Sequence, residues 1–196
     1  MTIMLRRLAR QGLLLLAIAA SAAPGHARQV EGQTLAEQQQ LGGTLLELNG
    51  VGVRAVAWLK GYVAGLYLSE KAASFEQIAG MAGPKRVQLR MLRNASADDF
   101  NAAIVAGIRK NASPTELAAL NERVETLVGT IRQAGSASAG DVINFDYQPD
   151  VGTVLTVNGV TRGAPIAGQD FYMAILSIFV GNNPVDAKLK KGLLGQ

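Results

Sequence analysis

The chain has 196 residues, 19 lysines and arginines against 15 acids, one histidine and no cysteine. The absence of cysteine excludes a disulfide framework and any thiol nucleophile. The lone histidine is His26, so a histidine metal cluster or a Ser-His triad has no material in the remainder of the chain.

Residues 1–27 read as a secretory signal peptide: Arg6, Arg7 and Arg10, then the apolar run Gly12–Ala23, then small residues before Ala27. The run is shorter than the roughly 20 residues of a spanning helix. Cleavage after Ala27 is expected, with Ala23 as a second site and an uncleaved anchor as the alternative. The expected destination is the periplasm, and no transmembrane segment is left in the mature chain. Removal of the leader takes three of the 19 basic residues and none of the 15 acids, so the net charge falls to about +1. That balance gives no electrostatic footprint for nucleic acid. No cofactor is expected, and the oligomeric state is not encoded in any motif.

Residues 28–42 are polar and glutamine-rich, which suits a flexible N-terminal arm or a frayed first strand. A single domain follows, 43–196. "TLLELNG" ends in Asn49-Gly50, a turn signal. "LNGVGVRAVAWLKGYVAGLYLSE", 48–70, reads as an apolar hairpin holding one arginine, Arg54. A short helix is predicted at 74–80 and a half-buried strand at 86–93. Ser96 with Asp98 and Asp99 starts a helix whose face is Phe100, Ile104 and Ile108. Pro114 starts another, with Leu117, Leu120, Val124, Leu127 and Ile131 at helical spacing. "GSASAG", 135–140, is a loop. "DVINFDY" and "TVLTVNG" form a hairpin punctuated by Pro149, Asp150 and Gly152, and Asn158-Gly159 is a turn. An apolar helix covers 169–179, and a short one opens at Pro184 and closes near Gly192. The sum is α+β, an antiparallel sheet with helices largely on one side.

Taken alone, Arg54 is a solvated or paired arginine, or an anion site. In an unbroken strand Tyr62 lies on the face of Arg54 and Tyr67 on the other, which makes Tyr62 the ligand candidate and Tyr67 structural. Trp58 shares that parity, so it either covers a cleft or packs in the core. "NAS" at 94–96 and 111–113 fits a glycosylation triplet that matters only in a eukaryotic secretory route. Lys188, Lys190 and Lys191 read as a basic helix end.

"NGVGVR…KGYVAGLYL" and "DFYMAILSIFVGNNPVDAKLKKGLLG", in this order at the two ends of residues 42–195, resemble the chalcone isomerase-like family, in its bacterial secreted branch. The resemblance implies an open-faced β-sandwich with a ligand cleft between an antiparallel sheet and a helical layer. It implies either a carrier of a small amphipathic carboxylate such as a fatty acid, an isomerase of the intramolecular lyase type acting on a chalcone-like enone, or a non-catalytic helper without ligand. The family arginine falls on Arg54, the isomerase threonine on Tyr62 and the isomerase tyrosine on Phe100. The isomerase asparagine falls on Gly107, and its Ser/Thr near the last long helix on Tyr172 or Met173. Arg54 would be the catalytic residue of an isomerase. The expected ligand-binding set is Arg54, Tyr62, Trp58, Phe100, Tyr172 and Met173. An arginine fork with a tyrosine hydroxyl suffices to hold a carboxylate. It is thin for stabilising an enolate, where each lost donor costs about 2.7–4 kcal/mol. The expectation is therefore a binder rather than an enzyme.

Overall fold

The structure, a computed structural model, describes residues 27–196. The expected leader lies outside the described residues except for Ala27. Nine strands and five helices follow in this order: β1 (Ala27–Val30), β2 (Gln33–Ala36), β3 (Gln38–Leu41), β4 (Thr44–Val56), β5 (Leu59–Leu68), α1 (Phe75–Gly80), β6 (Lys85–Met91), α2 (Ala97–Asn111), α3 (Pro114–Ala134), β7 (Val142–Gln148), β8 (Gly152–Val157), β9 (Val160–Ile166), α4 (Gln169–Val180) and α5 (Ala187–Leu193). Strands β3 to β9 form one antiparallel sheet in sequence order, and β1 pairs only with β2.

The helix starts follow the sequence signals. Ser96 accepts the Asp99 N–H at the head of α2, and Ser113 with Glu116 closes a capping box around Pro114 at the head of α3. The serines of both "NAS" triplets are thus helix caps. Helix α5 begins later than expected: its cap is Asp186, whose carboxylate accepts the Lys188 and Leu189 N–H groups, and Pro184 lies outside it. Asn158 and Gly159 both have positive φ, the geometry of a tight hairpin turn. The turn leads into β9, a strand not foreseen from the sequence because Pro165 and Gly163 weaken its pattern.

Two other expectations change. The glutamine-rich segment expected as an arm or frayed strand forms β1, β2 and β3, with Gln39 facing Arg86 and Leu35 wholly buried. Asn49-Gly50 is no turn but a bulge inside β4, where the register slips between Leu48 and Gly50. Asn49 spends its side chain on tertiary bonds: its amide donates to the Ala72 and Leu193 carbonyls at 2.9 and 2.7 Å, and its oxygen accepts the Ala72 N–H at 2.8 Å.

The bulge sorts β4 onto two faces. Gly50, Gly52 and Arg54 point toward the helices, while Val51 and Val53 point away with Leu48. The two glycines make room for α5. A Cβ on Gly50 would stand 2.6 Å from the Leu193 carbonyl oxygen, and one on Gly52 2.6 Å from that of Leu189. The Gly-x-Gly-x-Arg spacing is therefore a docking groove for α5 that ends on Arg54.

The main core lies between the sheet and the helices: Ala64, Leu66, Val87, Leu89, Ile143 and Phe145 against Ile104, Ile108, Ile131, Phe171, Ile175 and Leu189. A smaller core lies on the opposite face, where Leu35 of the β1–β2 hairpin packs with Leu46, Leu48, Val63 and Tyr67. Tyr67 is accordingly structural. Beside it the far face turns polar: Arg86 makes a fork with Asp146 at 2.6 Å to both oxygens, and Gln88, Asn144 and Thr156 bond in series across three strands.

Candidate functional site

Arg54 and Tyr62 are opposite one another on β4 and β5, in register, so their side chains share the helix-facing side. The face is the one expected, but the reason differs. The chain turns at Ala57-Trp58, and hairpin pairing rather than an unbroken strand brings the two together.

The Arg54 side chain is a quarter exposed and sits at the edge of the layer rather than deep in a cleft. Its Nη1 donates to the Ala55 carbonyl and stands 3.4 Å from Oδ2 of Asp186. The same carboxylate oxygen is 3.5 Å from the Ala55 N–H. Burial pushes the Asp186 carboxyl up, but the N–H groups of Leu189, Ala55 and Lys188, with the Arg54 charge, outweigh it and hold it below the usual carboxylate range. Asp186 thus keeps a partly exposed guanidinium paired at this edge, at a long 3.4 Å. Tyr62 is partly buried against the main core. Burial raises its hydroxyl pKa well above the ordinary value; Arg54 lowers it and Asp186 raises it further by smaller amounts. Tyr62 therefore stays a protonated donor at any physiological pH.

From this pair a row of main-core side chains, an apolar track filled by their packing against the helices, crosses the sheet. Tyr62 faces Met91, the next row is Ala64, Leu89, Ile143 and Val157, and the row after that is Leu66, Val87, Phe145 and Leu155. From β4 to β7 is three strand spacings, about 14 Å. The track ends at a small apolar cavity of about 30 Å³, lined by Phe100, Ile131, Ile143, Leu155 and Val157. That is room for about one water. Phe100 stacks on Phe145 with centroids 6.4 Å apart.

The other expected site residues lie apart. Tyr172 is wholly buried, its ring 5.3 Å from that of Tyr147, with its hydroxyl unpartnered. Met173, one residue on, faces a separate groove of about 280 Å³ between the helices, with Phe75, Leu120 and Ala174. Trp58 is neither core nor cleft wall: it is 81% exposed at the tip of the β4–β5 hairpin. At Gly107 a Cβ would come 2.7 Å from Ile178, so close packing of α2 on α4 fills the place of a polar side chain. Asp186 is the site residue sequence reasoning missed. Its signal was its place before "AKLKKGL" as a helix cap, but nothing local pairs it with a strand 132 residues away. Among the described residues no cluster of metal-ligating side chains occurs, and no helix is long and apolar enough to cross a membrane.

A seven-stranded antiparallel sheet with its helices on one face, and an arginine–tyrosine pair at the seam, define an open-faced α+β sandwich of the chalcone isomerase type. The chain belongs to the chalcone isomerase-like family, whose model matches residues 27–195. Among solved structures it is similar to the crystal structure of an Arabidopsis thaliana fatty-acid binding protein, with 13% identity and a TM-score of 0.64 over 86% of this chain and 96% of that one. At that identity the likeness is one of fold. No curated protein matches the chain.

Proposed function

We propose that this protein is a non-catalytic binder of a small amphipathic carboxylate, such as a fatty acid, working in the bacterial periplasm after removal of the leader. The observation that carries the reading is the in-register Arg54–Tyr62 pair at the head of an apolar track. A planar fork and a protonated phenol together match the two oxygens of a carboxylate. The ligand replaces Asp186 at Arg54, which leaves the guanidinium paired in both states. Its tail lies along Met91 and Leu89 toward Phe100. A cavity of about 30 Å³ does not hold a long tail, so binding requires the α2–α3 layer to lift from the sheet. The Arabidopsis neighbour, a fatty-acid binding protein, supports the same ligand class.

The ring-closing reaction of an isomerase needs donors around the enone. Phe100 has none, the Gly107 place is filled by Ile178, and Tyr172 is sealed in the core. Solvent extraction of the purified protein followed by mass spectrometry tests the proposal. A stoichiometric amphipathic acid is expected. Protein that yields none and takes up none on incubation with palmitate would stand against it. Turnover of a chalcone at about 1–10³ s⁻¹, abolished in Arg54→Ala, would make it an enzyme instead.

A further inference from the structure

The tip of the β4–β5 hairpin is built against ordinary turn chemistry. Two-residue hairpin turns favour Asn-Gly or a leading glycine, because the first central residue takes positive φ. Here that residue is Ala57, at φ 54°, and the next is Trp58. Val56 and Leu59 flank them, so four apolar residues in a row occupy an exposed turn. Val56 is 62% exposed and Leu59 37%. Runs of this kind on a surface are errors of design unless something covers them.

We propose that this tip is a lipid-surface anchor that inserts Trp58, Val56 and Leu59 into the interfacial layer of a bilayer. Two features select a bilayer, and the charges beside it do not oppose one. The apolar group is the end of a protruding hairpin and not a flat or grooved face. Tryptophan is the side chain that prefers the boundary between headgroups and acyl chains, with its ring in the apolar layer and its N–H toward water. The charges next to it are balanced, Arg54 against Asp186 and Lys60 against Glu31, so no excess of acid at the base of the hairpin repels anionic headgroups. Lys60 is held to Glu31 at 2.7 Å, which ties the anchor to the β1–β2 hairpin.

The position gives the anchor a purpose that rests on the ligand reading above. Arg54 is two residues before Val56 on the same strand, so the carboxylate site opens at the end that touches lipid. An amphipathic acid then passes between bilayer and protein without crossing water.

Trp58 is the only tryptophan of the chain, so its emission reports this tip alone. The experiment titrates vesicles of phosphatidylcholine and phosphatidylglycerol, 3:1 (a chosen composition, about the anionic share that tests charge as well as insertion), into the exported protein. A blue shift, and quenching by brominated acyl chains, are expected. Trp58→Ser should keep its circular dichroism and its fatty-acid affinity in detergent-free titration. Its co-sedimentation with vesicles should weaken roughly fifty-fold, the loss for keeping about half of an indole's area out of lipid. Emission unmoved by vesicles overturns the anchor. So does a blue shift that grows with protein concentration alone, which would make the tip a contact between copies. Vesicle binding without fatty-acid binding would uphold the anchor and remove the carboxylate reading, so the two fail separately.

Discussion

Asp186→Asn separates the two duties of one carboxylate. Asp186 caps α5 through the Lys188 and Leu189 N–H groups, at 2.8 and 3.0 Å, and it faces Arg54 at 3.4 Å. Asparagine caps a helix about as well as aspartate, so the cap at Oδ1 survives, while the oxygen facing Arg54 and the Ala55 N–H gives way to an amide nitrogen and the charge is lost. The ion pair is partly exposed, 24% and 15% for its two side chains, and its geometry is long. Such pairs contribute about 0.2–1 kcal/mol. Stability to urea should therefore fall by no more than about 1 kcal/mol. A ligand carboxylate no longer displaces a competitor, so the same energy returns as affinity. At about 1.4 kcal/mol per decade, palmitate should bind about 1.4- to 5-fold more tightly. Titration calorimetry on both proteins measures this. Unchanged or weaker binding in a folded Asp186→Asn protein refutes the exchange of one carboxylate for another.

Gly52→Ala should destabilise the protein by about 1–3 kcal/mol, because its Cβ meets the backbone of α5 at Leu189 and neither element can yield; urea unfolding measures it, and a loss below about 0.5 kcal/mol would mean that α5 shifts freely on β4. Acid should unfold the protein through its depressed carboxylates. Asp170 is held low by the Arg123 fork, and Asp141 by the Asn158 amide and the Ser138 N–H. Asp186 joins them, the groups that hold it low outweighing the upward push of burial. A carboxylate with a lowered folded pKa stabilises the fold above its unfolded value, near 4, and that stability is lost as pH falls through the folded value. Urea midpoints should thus be level above about pH 5 and fall from there toward pH 2, with a shallower fall in Asp170→Asn; a flat profile would contradict these assignments.

The sequence made the elements with local signals plain. Ser96, Pro114 and Asn158-Gly159 each carry their own helix-start or turn chemistry, and the structure places them as read. Elements defined by distant partners were hidden. Asn49-Gly50 has turn chemistry, but bonds to Ala72 and Leu193 hold it in a strand. The glutamines of 38–40 are strand residues because β4 pairs with them, not because of their own preference. Trp58 shows the limit of parity counting: once the chain turns at Ala57, alternation no longer says which face a tip residue meets. That Arg54 and Tyr62 share a face was expected from strand parity, and the structure shows it for another reason, their pairing across the hairpin. Asp186 was not, since its partner is fixed only when α5 docks into the Gly50–Gly52 groove.

The central claim is that Arg54 exists to hold a carboxylate. Titration of a long-chain fatty acid into wild type, Arg54→Lys and Arg54→Met tests it most directly. Lysine keeps the charge but loses the planar fork, so it should bind more weakly than wild type, and methionine should not bind. Equal affinity in all three would mean that Arg54 is a paired surface charge and no more.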